Sequence, residues 1–187
     1  MQPLFTIHAG EYLVADYIER HYGNSHHLRV WVPSKDDGID LLVTDDKCRN
    51  AVSLQVKYSK SYDCKSEYDA SGWWKLNREK IEKSKADYWV FVMPEFLGKK
   101  KVSSCCFVIL TPKELITRLT LIHGKNHEKD KPYNMYLTVK GDVAIETRGA
   151  NAADRVRLFE KPTGHRDFSR FLNRWEEVLI KVCSNKV

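Results

Sequence analysis

No apolar run in this 187-residue chain approaches the eighteen or so residues that a membrane-spanning helix needs. The opening Met1-Gln2-Pro3-Leu4-Phe5 lacks the basic-then-apolar layout of a signal peptide, so no leader is expected. Cysteine is sparse and odd in number, five in all, with no CxxC spacing although Cys105 and Cys106 are neighbours. A reduced, cytoplasmic protein is the simplest expectation. The histidines form no zinc signature: His26 and His27 are adjacent and diverge on a strand, and Gly124 interrupts the i, i+4 pair His123 and His127. A Walker A sequence, a dinucleotide-binding glycine fingerprint and a Gly-x-Ser-x-Gly elbow are all missing. Several common enzyme classes are thereby removed, and no nucleotide cofactor is expected. There is no internal repeat and no low-complexity tract.

What remains is an ordinary globular composition, 42% hydrophobic and 30% charged, of a length that favours a single domain. The net charge is +6, from 31 basic and 25 acidic residues, a modest excess that fits a polyanionic partner without demanding one. His8–Tyr22 reads as an amphipathic helix with the stripe Glu11, Val14, Ala15, Ile18 and Tyr22, closed by Gly23-Asn24. Three strands follow, Leu28–Val32, Ile39–Thr44 and Val52–Tyr58, joined by turn-rich segments into a meander. A second helix is expected over Trp73–Lys85 and a buried strand over Tyr88–Met93, stopped by Pro94. Lys101–Leu110 reads as a strand, and Thr111-Pro112 opens a helix to about Ile122. A polar loop then leads to a hairpin, Met135–Val139 and Val143–Thr147, around Lys140-Gly141-Asp142. Arg148–Arg166 carries little pattern. Phe168, Phe171, Leu172, Trp175, Leu179 and Val182 form the apolar stripe of a final helix.

The most informative residues lie on the second and third strands. Fourteen residues separate Asp40 from Gln55, a spacing that suits adjacent antiparallel strands. Side chains alternate along a strand, so Gln55 and Lys57 share one face while Leu54, Val56 and Tyr58 share the other. A carboxylate, an amide oxygen and an ammonium then converge at one spot. Hard oxygen ligands suit Mg²⁺, and a lysine suits a phosphate under attack.

Glu11-bearing helix, Asp36-Asp37-Gly38-Ile39-Asp40 and Gln55-Val56-Lys57 together resemble the PD-(D/E)XK nuclease superfamily, with Ile39 in place of the family's proline and Gln55 in place of its second acidic residue. The resemblance implies an α/β fold with a restriction-endonuclease-like core: helix, three-strand antiparallel meander, helix and strand in a mixed central sheet flanked by helices. The core would span about 1–122, with 123–187 as a C-terminal elaboration of one domain ending in a helix. It also implies Mg²⁺, replaceable by Mn²⁺, held by Asp40, Gln55, the Val56 carbonyl and Glu11. Lys57 would stabilise charge on the phosphoryl group. The expected activity is DNA endonuclease cleavage leaving a 5′-phosphate, of restriction or defence type, with a homodimer cutting a duplex.

Each residue also has a plainer role. Asp40 could face solvent beside a turn, and Gln55 could be an exposed strand residue. Lys57 could guard a sheet edge, and Glu11 could answer its helix dipole. Asp36 and Asp37 could supplement the site or shape the turn with Gly38. Lys60 with Lys75, Arg78, Lys80 and Lys83 of the expected second helix forms a candidate nucleic-acid face, or a solvated one. Lys99-Lys100-Lys101 is a weaker contact candidate. Of Trp73 and Trp74, at least one belongs in the core, and the other could stack on a base. The rival readings are a catalytically inactive nucleic-acid-binding module on the same fold, a repair or junction nuclease, an RNA-directed nuclease, and a structural subunit of a larger complex.

Overall fold

Unbroken burial from Val52 to Val56, polar Ser53 and Gln55 included, marks Ala51–Tyr58 as a strand at the centre of a sheet, with neighbours on both edges and both faces covered. The computed structural model describes residues 9–35, 37–59, 67–97, 101–124, 126–128 and 130–184, the side chains of 95–97 and 101–104 excepted. The chain is α/β. Helix α1 (Ala9–Ile18) runs into a π-helical turn over Glu19–Gly23. Strands β1 (Leu28–Trp31), β2 (Leu41–Asp45) and β3 (Ala51–Tyr58) form the expected antiparallel meander. Strand β5 (Tyr88–Leu97) then pairs parallel with β3, and β6 (Lys101–Leu110) pairs antiparallel with β5. The result is a mixed five-stranded sheet in the order β1-β2-β3-β5-β6.

Between β3 and β5 the expected long helix is absent. Ala70–Leu76 is instead a strand, β4, followed by a single short helix α2 (Arg78–Glu82) capped by the Asn77 side chain, which accepts from the Lys80 N–H at 2.9 Å. The alternation decides it: Ala70, Gly72, Trp74 and Leu76 are buried while Trp73 and Lys75 are exposed. Strand β4 pairs with β7 (Tyr133–Lys140), and β7 with β8 (Val143–Glu146), making a second, three-stranded antiparallel sheet. The expected hairpin around Gly141 is therefore present, and it joins residues that precede β5.

Two apolar cores lie on opposite faces of the large sheet. Leu54, Val56, Val90 and Val92 pack with Val14 and Ile18 of α1 and with Trp175, Val178 and Val182 of α5 (Trp175–Cys183). Trp89, Phe91 and Met93, one residue out of phase on β5, pack with Trp74 of the small sheet and with Leu115 and Leu119 of α3 (Pro112–His123). Helix α3 begins as expected, with a capping box between Thr111 and Glu114.

Three further expectations are corrected. Pro94 does not end its strand, because β5 passes beyond the last β3 pairing at Tyr58–Val92, where a missing N–H costs no bond of that ladder. The weakly patterned 148–166 segment contains helix α4 (Ala152–Glu160), capped by Asn151. The final apolar stripe is not one helix. Asn173 takes a left-handed φ of 50°, its side-chain oxygen accepts from the Phe107 N–H at 3.0 Å, and its own N–H reaches the Phe107 carbonyl at 2.6 Å. Residues before this break, Phe168 and Phe171, fill one core, and those after it fill the other. The chain thus wraps the β6 edge and covers it.

Among the described residues, no helix is long and apolar enough to cross a membrane.

Candidate metal and nucleic-acid site

The site begins at a turn. Gly38 has φ of 79°, a left-handed value that suits glycine, and its backbone passes close to Gln55: a Cβ there would lie 3.7 Å from the Gln55 Oε1. Asp40 follows immediately before β2, and its N–H donates to the Leu54 carbonyl at 2.8 Å, extending the β2–β3 ladder. This fixes the carboxylate against β3. Asp40 Oδ2 accepts from the Val56 N–H at 2.7 Å and from the Gln55 side-chain Nε2. Gln55 is only 7% exposed, so its amide is held in this contact rather than turned to solvent. The N–H and C=O of one strand residue point to the same neighbour. The Val56 carbonyl therefore emerges on the side of β3 where Asp40 sits and β2 has run out.

Lys57, half-buried, shares the Gln55 face as alternation requires. Its Nζ lies 5.4 Å from the ring centre of Trp89, the residue level with Gln55 on β5. The negative face of an indole ring attracts a cation placed over it. The strand end is also anchored: the Trp74 indole N–H donates to the Lys57 carbonyl at 3.1 Å, and the Trp73 N–H to Ser59 Oγ at 3.0 Å. Neither Trp89 nor the Trp74 anchor was expected at the site. The apolar alternation of β5 points Trp89 to the Gln55 face, but only the parallel pairing brings them level.

Glu11 belongs to helix α1. Helix α1 crosses the Val56–Tyr58 face of β3, where a Cβ on Gly10 would come 2.7 Å from Tyr58 Cβ. Gln55 and Lys57 emerge on the opposite face. Glu11 is half-buried at the start of that helix, level with the end of β3. Asp37 is paired with Lys85 at 2.5 Å, and Asp36 lies outside the described residues. Among the described residues no group of three or more His, Cys, Asp or Glu side chains comes together. Asp40 is the carboxylate that the described contacts bring against Gln55 and Val56.

The expected basic helix face is divided. Lys75 projects from β4 and not from a helix. Arg78 pairs with Glu82 at 2.8 Å and Lys83 with Glu79 at 2.6 Å, each contact holding the cation's pKa above its ordinary value. Lys75, Arg78 and Lys131 share a depression of about 470 Å³ with Glu79 and Asp130. Lys60, Lys99 and Lys100, and the side chain of Lys101, lie outside the described residues.

No protein-family model, curated protein or solved structure matches this chain significantly.

Proposed function

We propose that the chain is a Mg²⁺-dependent endonuclease that hydrolyses DNA phosphodiester bonds on a restriction-endonuclease-like core. One observation carries the reading: the Asp40 carboxylate meets the Gln55 amide and the Val56 backbone at one point of β3, with Lys57 on the Gln55 face. The donor set fits a hard cation, with Asp40 and the Val56 carbonyl as ligands. Gln55 joins them once its amide turns to present Oε1, a rotation that exchanges two nearly isosteric atoms. Glu11 would add negative charge from α1, as a ligand or through a water. Mg²⁺, or Mn²⁺ in its place, would supply charge neutralisation at a phosphate oxygen and help a water molecule lose its proton.

The remaining work falls to the chain's own side chains. Lys57, set over the Trp89 ring, would hold a non-bridging phosphate oxygen and stabilise the charge that grows there during attack. Asp40, fixed by two N–H donors, would keep its position without reorganising. Lys60, Lys75, Arg78, Lys80 and Lys83 would meet the phosphate backbone, and cutting both strands of a duplex would take two copies of the chain.

A second reading, an inactive binding module on the same fold, is favoured by the direction of the Gln55 amide, whose Nε2 donates to Asp40. Supercoiled-plasmid nicking in Mg²⁺, Mn²⁺ or EDTA separates the two. Metal-dependent nicking supports the endonuclease. Binding of DNA with no cleavage of duplex, single-stranded or branched substrates in either metal supports the module.

A further inference from the structure

The small sheet turns an unusual face outward. Trp73 on β4 and Tyr136 on β7 stand directly opposite each other in register, 40% and 41% exposed, with ring centres 5.9 Å apart at 38°. The two-residue period puts Ser71 and Lys75 beside Trp73 and Asn134 beside Tyr136, while Thr138 on the other side is buried with its Oγ1 3.0 Å from Thr147 Oγ1, so that Lys140 lies past a covered residue. Next to the rings that face has Lys75 and no carboxylate from either strand, while Glu79 and Asp130 line the depression that Lys75 shares with Arg78 and Lys131. Asp69, the nearest acid in sequence to the start of β4, is turned into the β7–β8 turn, where it accepts from the Gly141 N–H at 2.7 Å. Neither ring is needed by the core, which takes Trp74, Met135 and Leu137 from the alternate positions.

We propose that this face binds a single-stranded segment of nucleic acid, stacking unpaired bases on Trp73 and Tyr136 and setting its phosphates against Lys75. Every base offers a π-face, so adjacent aromatic rings on an antiparallel sheet bind single strands with little regard to sequence. A duplex keeps its base faces buried in its own stack and could offer only phosphates. The patch is two rings wide, far below the roughly 800 Å² per partner of a standard protein interface.

The face is also tied to the candidate site. Trp73 and its neighbour Trp74 hold the β3 end through Ser59 and Lys57. Resting on the endonuclease reading, this identifies the substrate class: DNA carrying an unpaired stretch, such as a tail, flap or single strand, threaded across β4 and β7 toward Lys57.

Fluorescence anisotropy of the full chain in EDTA tests the face without cleavage. The probes are a labelled oligothymidylate of about fifteen nucleotides, the matching oligouridylate and a blunt duplex. Trp73→Ala and Tyr136→Ala should each weaken oligothymidylate binding about ten-fold, with duplex binding changed less than about two-fold. Trp73→Phe should restore most of the loss, and Lys75→Glu, which leaves both rings in place, should weaken binding in a salt-dependent way. The uridylate arm tells whether DNA or RNA is preferred. Failure of the unaltered chain to bind either oligonucleotide would overturn the proposal, as would alanine variants that bind normally or lose duplex affinity equally. Self-association abolished by Trp73→Ala, without oligonucleotide binding, would assign the face to a second copy instead. Because EDTA removes cleavage from the readout, failure here leaves the nicking test standing, and failure to nick leaves stacking standing.

Discussion

Replacing Asp40 by Ala and by Asn separates the structural work of its carboxylate from its chemical work. Oδ2 holds the Val56 N–H at 2.7 Å and the Gln55 amide. A hydrogen bond to a charged acceptor contributes about 1.5 kcal/mol at the low end suited to a half-buried group, so Asp40→Ala should cost about 2–3 kcal/mol. For a domain of this size that lowers Tm by about 4–12 °C. Asparagine keeps an oxygen for the Val56 N–H and lets Gln55 turn its amide, so Asp40→Asn should cost less than about 1 kcal/mol. Neutral Asn cannot hold a divalent cation as a carboxylate does, so both variants should lose cleavage by about a hundred-fold or more. Thermal melts paired with plasmid nicking read the two effects separately. An Asn variant that melts normally and still cleaves at near-native rate would refute the ligand role of Asp40.

Lys57→Ala should abolish cleavage while leaving DNA affinity in EDTA within about three-fold, since it removes one charge among several; near-native nicking would reject its role. Glu11→Gln should raise the Mg²⁺ concentration needed for half-maximal nicking, and an unchanged titration would leave Glu11 to its helix. Asp87 is pushed up by burial but held below its ordinary pKa by Lys181 and Ser53, its carboxylate accepting from Lys181 Nζ at 2.5 Å. A depressed folded-state pKa adds stability above the unfolded value and loses it as pH falls through the folded one. Asp87→Asn should therefore be less stable than the unaltered chain at pH 7, the gap closing below about pH 4 in urea titrations; a pH-independent gap would contradict the linkage. Gly72→Ala would place its Cβ 2.3 Å from Trp74 Cη2 and 2.9 Å from Met93 Cγ, a clash in the core that should cost about 1–3 kcal/mol by chemical denaturation.

The part of the site carried by neighbouring strands was legible in the sequence. Asp40 and Gln55 are joined by a short polar turn, so alternation and spacing alone fix which side chains meet. Strand β6 and helix α3 were legible for the same reason, their signals being local. What stayed hidden depended on distant partners. Trp73-Trp74 reads equally as the start of a helix until β7, whose Tyr136 lies opposite Trp73, pairs with it. That pairing also decides which tryptophan is buried. The helix expected over 168–182 failed because a regular apolar spacing does not reveal that one asparagine docks on an edge strand and sends the two halves to opposite cores. Glu11 was read as a site residue by resemblance, and the Gly10 contact with Tyr58 adds that its helix covers the Val56–Tyr58 face of β3.

The most direct measurement is anomalous diffraction from crystals soaked in Mn²⁺. A metal-centred site should rest between the Asp40 carboxylate, the Val56 carbonyl and a Gln55 amide rotated to present its oxygen. No manganese there, with the Gln55 nitrogen still bound to Asp40 at metal concentrations that saturate other Mn²⁺-dependent nucleases, would contradict metal-dependent hydrolysis at this strand.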